Sequence, residues 1–257
     1  MKDFLLPPGT LREGVYYLSG RDDRFESLYL AVRAKENRIC SPEEALLLPF
    51  ASAANPHRAE WRLRTRTFHR FQRYLASRQG TLNILDLGCG NGWFARRLSA
   101  SIAHRYYCAD INAAELTQGA ALNSSETVRF LYADIFRAEI PPRFFDLITL
   151  NASAQYFPDI GALLTRLALL LASGGELHIM DSPWYHREEL HEAQRRTQAY
   201  YDALGIPEMA AQYHHHAWEE ILAWRCEIAY DPSSLPNVFR RLLGSSGSPF
   251  PWIVVRP

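Results

Sequence analysis

Cysteine is scarce: Cys40, Cys89, Cys108 and Cys226 are the only four in 257 residues, widely scattered and with no CxxC pair. That spacing argues against a disulfide framework or a zinc site, and points to a reducing, cytoplasmic location with no bound metal. No stretch approaches ~18 uninterrupted apolar residues, so no membrane span is expected. The one short apolar run at the N-terminus is broken by Pro7, Pro8 and Gly9, and no cleavage-type signal follows it. Internal repeats and long low-complexity tracts are absent. Net charge is absent too, with Lys plus Arg equal to Asp plus Glu at 28 each. A phosphate backbone needs a basic surface, so this balance disfavours a nucleic-acid partner, although a local arginine patch would be hidden in the sum.

What is present is a chain long enough to bury a core without metals or disulfides, read as one α/β domain with additions. Residues 1–60 read as an irregular N-terminal extension with one helix, beginning at Ser41 or Pro42 and ending at Leu48. Ser41 supplies a capping hydroxyl, Pro42 the first helical position, and Glu44 an acid in the first turn. From Trp61 to Ser77, Leu63, Phe68, Phe71 and Leu75 recur near helical spacing between arginines. Short apolar runs then end in acids or turn residues. They predict strands at Asn83 to Leu87, Arg105 to Ala109, Val128 to Ala133, Phe145 to Leu150 and Glu176 to Met180. Helices are predicted at Trp93 to Ser99 and Ile160 to Leu171, the second stopped by Ser173-Gly174-Gly175. Such alternation implies βαβ units, a parallel sheet, and ligands at the carboxyl ends of the strands. A mostly helical, aromatic-rich segment follows from about Pro183 to Trp224. Two closing strands are predicted at Cys226 to Tyr230 and Trp252 to Val255, with a turn-rich stretch from Gly244 to Pro249 before the second.

The chemistry is concentrated in Ile84-Leu85-Asp86-Leu87-Gly88-Cys89-Gly90-Asn91-Gly92-Trp93. Glycines just after a strand let a ligand approach the backbone. Dinucleotide sites order them GxGxxG, whereas here Trp93 stands where the close-packing glycine belongs, which favours a ligand without phosphates. The stretch closely resembles the first motif of class I S-adenosylmethionine-dependent methyltransferases, an acid and a small or apolar residue followed by GxGxG. Four further features keep the family's order: Asp110 closing the second strand, Tyr132-Ala133-Asp134-Ile135 at the third, Phe145 to Asn151 at the fourth, and Leu170 to Leu177 as the turn into the fifth. Together they span about 100 residues, roughly Asn83 to Asp181.

The resemblance implies a Rossmann-like, seven-stranded, mostly parallel sheet of order 3-2-1-4-5-7-6 with helices on both faces. It also implies an N-terminal extension, a methyltransferase domain over 61–257, and a helical cap inserted at 183–225. It implies S-adenosyl-L-methionine as cofactor, held by Asp86, Gly88, Cys89, Gly90, Gly92, Asp110, Ile111, Asp134, Ile135, Asn151 and Gln155. Asp110 would accept hydrogen bonds from the ribose hydroxyls and Asp134 from the adenine amino group. Each of these acids could also be an ordinary strand-end residue, and Asp86 a turn cap. Gln155 and Tyr156 lie where related enzymes carry residues near the transferred methyl group.

Because a sulfonium is intrinsically reactive, alignment can supply much of the catalysis, and a base is needed only where the acceptor must lose a proton. Candidates for such chemistry are His191, His214, His215 and Tyr156, from a segment whose aromatic rings could wall a pocket. His214, His215 and His216 on a helix would point about 100° apart, so they could not converge on one ion there. Arg58, Arg62, Arg64, Arg66, Arg70 and Arg73 read mainly as a solvated helix face, with one of them free to meet the methionine carboxylate of the cofactor. The expected function is methyl transfer to a small-molecule acceptor. The Asp- or Asn-Pro-Pro-aromatic signature of many amino-group and nucleic-acid methyltransferases is replaced here by Asn151-Ala152-Ser153-Ala154. The alternatives are an RNA or protein methyltransferase, and a catalytically silent binding protein. Acceptor and oligomeric state are not legible.

Overall fold

In the computed structural model, which describes residues 9–242 and 247–257, the predicted strand-end acids line up along one edge of a single sheet. The extension opens with two three-residue strands, β1 (Thr10–Arg12) and β2 (Val15–Tyr17), then α1 (Asp23–Lys35) and α2 (Pro42–Leu47). Next come α3 (Arg58–Ala76), β3 (Asn83–Leu87), α4 (Trp93–Ser99), β4 (Arg105–Asp110), α5 (Ala113–Ala121) and β5 (Val128–Tyr132). The second half holds β6 (Phe145–Asn151), α6 (Ile160–Leu170), β7 (Leu171–Met180), α7 (Leu190–Leu204), α8 (Trp218–Leu222), β8 (Cys226–Tyr230), α9 (Leu235–Leu242) and β9 (Trp252–Val255).

The sheet has nine strands among the described residues, ordered β1-β2-β5-β4-β3-β6-β7-β9-β8. The seven strands from β3 onward keep the expected order. The expected count is corrected by β1 and β2, which the extension adds beside β5. Val15, Tyr16 and Tyr17 run parallel to Phe130, Leu131 and Tyr132, with β1 antiparallel outside them. The extension is therefore less irregular than its sequence suggests, since it also holds the thirteen-residue α1. At the other end, β9 pairs antiparallel with β7 and β8. Strand β7 starts earlier than expected: Leu171 already pairs with Phe145, and the Ser173-Gly174-Gly175 turn is absorbed as a register shift. The Pro7-Pro8 break and the Gly244-Ser245-Ser246 part of the expected turn lie outside the described residues.

Period-two alternation divides the core. Leu85, Leu87, Tyr107 and Leu131 face α6 through Leu163, Leu164 and Leu167. Ile84, Tyr106, Cys108 and Phe130 face α3, α4 and α5 through Phe68, Phe71, Trp93, Phe94 and Leu116. Helices thus cover both faces, as a parallel sheet requires. A third, smaller cluster joins Val32 of α1 to Tyr201, Ile206 and Met209 of the cap. The extension is fastened onto α4 as well. Arg97 donates to the Leu46 and Leu48 carbonyls at 2.6 and 2.7 Å, and Arg96 to Ala45 at 3.0 Å. These arginines satisfy the orphan carbonyls at the end of α2. At its other end α2 has the expected cap: Ser41 Oγ accepts from the Glu44 N–H at 3.2 Å, and Glu44 accepts from the Ser41 N–H at 3.0 Å.

Candidate functional site

The turn after β3 needs glycine for identifiable reasons. Gly88 has φ +74°, and a Cβ there would lie 2.3 Å from the Ser153 Cβ. Gly92, at φ +66°, caps α4, and a Cβ would meet the Phe130 ring at 2.5 Å. The turn is tied to the next strand by the Gly90 N–H, which donates to Asp110 Oδ2 at 2.7 Å. Asp110 Oδ1 accepts from the N–H groups of Ile111 (2.8 Å) and Asn112 (2.9 Å). Asn112 in turn caps α5, accepting from the Glu115 N–H at 3.1 Å.

These residues surround a cavity of about 360 Å³ at the carboxyl ends of β3, β4, β5 and β6. Of the residues expected to hold the cofactor, Asp86, Gly88, Cys89, Gly90, Asp110, Ile111, Asp134, Ile135 and Asn151 line it. Gly92 does not; its role is packing beneath α4. Gln155 lies instead on a second cavity, of about 650 Å³, where its amide bridges the Ala152 carbonyl (2.7 Å) and the Ser182 hydroxyl (3.2 Å). Arg64, Ala152 and Tyr156 line both cavities.

The first cavity is acidic. Burial pushes the Asp86 carboxyl up to about 7, against the Thr149 hydroxyl donating to it at 2.8 Å and with repulsion from Asp110. Glu115 is likewise raised by burial to about 7, although Arg33 attracts it. Asp110 is raised by burial in spite of its three backbone donors. Asp134 sits at the rim, accepting from the Phe136 N–H at 3.0 Å, with Arg137 3.3 Å away. A cationic ligand would satisfy such a surplus of buried carboxylate.

Tyr156 stands at the junction, edge-on to Tyr29 (5.7 Å), Phe25 (5.9 Å) and Tyr213 (6.0 Å). The candidate histidines are placed elsewhere. His191 is exposed on α7, and neither it, His214 nor His215 lines either cavity. The His214 N–H donates to the Gln155 carbonyl at 2.7 Å, and His215 Nε2 lies 2.9 Å from the Thr197 hydroxyl. The trio is extended rather than helical because the chain bridges in parallel to Tyr185 there, which buries His216 against the Ala154 carbonyl. Among the described residues no His, Cys, Asp and Glu side chains are grouped to hold a metal, and no helix is long and apolar enough to cross a membrane.

Of the six arginines on α3, Arg64 is the one that lines the cavities; Glu60 holds it at 2.8 Å, and Arg38 holds Glu60 at 2.7 Å. The ring of Tyr230 stacks beneath Arg70 at 3.6 Å, while Arg58, Arg62 and Arg73 are exposed. Sequence reading missed Phe25, Tyr29 and Arg33 of α1, and Glu115 of α5, all of which line the first cavity. For Glu115 a signal existed, the capping pattern Asn112-x-x-Glu115 directly after the strand-end acid. For α1 there was none.

Residues 84–175 match the family model for a methyltransferase domain. In its fold, its glycine turn and that matched region the chain is similar to class I S-adenosylmethionine-dependent methyltransferases. A curated relative is an uncharacterised methyltransferase of Mycobacterium tuberculosis, 36% identical over 101 residues, covering 39% of this chain and 51% of the relative. A malonyl-[acyl-carrier protein] O-methyltransferase of Acetivibrio thermocellus is 33% identical over 116 residues, covering 43% of this chain and 39% of that one. The matches thus span about half or less of these relatives. A solved geranyl diphosphate C-methyltransferase of Streptomyces coelicolor, in complex with S-adenosyl-L-homocysteine, superposes with a TM-score of 0.53 at 14% identity. It covers 79% of this chain and 81% of that one, a likeness of fold.

Proposed function

We propose that the chain transfers the methyl group of S-adenosyl-L-methionine to a small-molecule acceptor by in-line attack. The observation that carries this reading is the meeting of two cavities at Arg64, Ala152 and Tyr156, one fitted to the cofactor and the other open to an acceptor. When bound, the cofactor supplies an electrophilic methyl group on a cationic sulfur. The chain's own residues fit it. Gly88 and Gly90 line the cavity with backbone, and Asp110 and Asp134 stand as acceptors for ribose hydroxyls and the adenine amino group. Asp86 and Glu115 supply negative charge toward a cation, and Arg64 suits the methionine carboxylate.

In this reading residues 9–60 and 183–225 form a roof, with α1 and α7 joined through Val32 and Tyr201. A closed roof excludes water and holds the acceptor in line with the methyl group, which is where most of the rate enhancement would arise. The test is incubation with isotopically labelled cofactor and a metabolite extract, read by mass spectrometry. One labelled methyl group gained by a small molecule supports the reading. Label found solely in an added RNA or protein fraction contradicts it.

A further inference from the structure

Asp181 directly follows β7 with φ +51°, a left-handed conformation unusual for a residue bearing a side chain, and it lines the second cavity. Its side chain is buried and pinned from two directions. Oδ1 accepts from the Thr67 hydroxyl of α3 at 2.8 Å and from the Ser248 hydroxyl at 3.3 Å. Oδ2 is equally buried and has no hydrogen-bond partner among the described residues. A buried carboxylate oxygen left without a donor is costly, and so is the backbone strain beneath it. Arg64 and Arg70 attract the carboxylate from α3, but burial outweighs them and raises its proton affinity above the ordinary carboxylate range. Rings form part of the cavity wall, Tyr156, Tyr185, Tyr201, Tyr213 and Phe250 among them, and Arg33, Arg38, Arg64 and Arg196 with Glu36 and Glu60 supply its charged part.

We infer that Asp181 is the proton acceptor of the acceptor chamber, and that the chamber receives a hydroxyl-bearing aromatic molecule whose O–H points at Asp181 Oδ2. The inference rests on the methyl-transfer reading given above. The aromatic part of the wall holds the ring by stacking and edge contacts, and the free carboxylate oxygen selects a ring that carries a donor. As the acceptor oxygen attacks the methyl carbon, its proton passes to Asp181 Oδ2. The O–CH3 bond forms while the carbon–sulfur bond breaks, and that electron pair remains on sulfur as a thioether. Asp181 then releases its proton to solvent.

The test compares wild type with Asp181→Asn, whose amide keeps an acceptor for Thr67 and Ser248 and tolerates the left-handed backbone. The probes are 4-nitrophenol and 4-nitrothiophenol, at a mildly acid pH where the phenol holds its proton and the thiol has lost it. Wild type is expected to methylate both. The variant is expected to lose about 100-fold or more on the phenol, the usual worth of a positioned base, while its rate on the thiol stays within about threefold. Absorbance supplies a readout independent of turnover. In complex with S-adenosyl-L-homocysteine, the wild-type protein is expected to raise the ionisation midpoint of bound 4-nitrophenol, because a carboxylate disfavours the neighbouring phenolate, and the variant to leave it lower. Equal phenol rates in the two proteins, equal ionisation midpoints, or a wild type that binds S-adenosyl-L-methionine and methylates neither probe would each overturn the inference. A folded wild type that binds no S-adenosyl-L-methionine would instead strike the underlying methyl-transfer reading.

Discussion

Gly90 and Asp110 are joined by a 2.7 Å hydrogen bond from the glycine N–H to the aspartate Oδ2, so the first glycine turn and the acid of the next strand form one rigid unit. Both residues line the first cavity, so its wall there is set by that bond. Two segments twenty residues apart in sequence are fixed relative to each other before any ligand arrives, which lowers the ordering cost of binding.

Gly88→Ala is expected to damage the fold and the site together. The added methyl would lie 2.3 Å from Ser153 Cβ on a backbone at φ +74°, and overpacking of this kind costs about 1–3 kcal/mol before any strain is added. Chemical denaturation should register the loss. Adding Ser153→Gly should recover the steric part and leave the backbone part. A double variant no more stable than Gly88→Ala alone would show that the Ser153 contact is not the cause.

The pair Asp86 and Glu115 makes the empty protein sensitive to pH. Each holds its proton up to about 7 when folded, whereas the unfolded chain releases it near 4 (model carboxyls titrate at about 3.9 to 4.3). Stability should therefore fall as pH rises from the ordinary carboxylate range to about 7 and then level off. Affinity for a cationic cofactor should rise across the same interval. Melting temperatures of Asp86→Asn and Glu115→Gln, measured against pH, should each show a flatter decline than wild type. Parallel profiles would rule these groups out as the source.

At the opposite end of the sheet, Glu176 has the reverse sign. His178 lies beside it at 3.5 Å, Tyr74 and Arg256 donate to it, and together they hold its carboxyl at about 2 in spite of burial; Arg78 pairs with it at 3.0 Å. Its stabilising contribution is present above the unfolded carboxylate pKa and is lost as pH falls toward about 2. Glu176→Ala leaves Arg78, Arg256 and Tyr74 without their shared acceptor; both arginines are more than a third exposed, so solvent screening holds the loss to about 1–3 kcal/mol. A denaturation midpoint within error of wild type would contradict this.

Ala152 lines both cavities, and it is held at φ +57°. Ala152→Gly should stabilise, because the left-handed conformation costs an L-residue about 1–2 kcal/mol that glycine escapes. Ala152→Val should destabilise and also raise KM for the acceptor more than for the cofactor. Equal increases in both constants would argue that the residue does not stand between the two ligands.

Much of the α/β core was legible because its signals are local. Ile84, Leu85 and Leu87 form an apolar run that ends in glycines, and β3, α4, β8 and β9 fall where the pattern put them. Strands β1 and β2 were not legible, since three residues carry almost no periodicity and Val15 owes its pairing to Phe130, far along the chain. The same reason hid Tyr29 and Arg33. Nothing in their own helix marks them, and they reach the cavity only because α1 packs on the cap through Val32 and Tyr201. The histidine trio drew attention as chemistry-bearing residues; a backbone bridge at Tyr185 and Ala217 holds the segment extended, and His215 packs on Tyr185 and Tyr213 rather than lining a cavity itself. Asp181 gave the opposite case: an ordinary strand-end acid in sequence, it is singled out by one unpaired buried oxygen.

The most direct test of the central claim is calorimetric titration of the purified protein with S-adenosyl-L-methionine and S-adenosyl-L-homocysteine, beside Asp110→Asn and Asp110→Ala. The account predicts binding on the order of micromolar for wild type. It predicts binding weaker by about 100-fold in the variants, since two hydrogen bonds to a charged group are worth about 1.5 kcal/mol or more each. Well-folded wild-type protein that binds neither ligand would contradict the account.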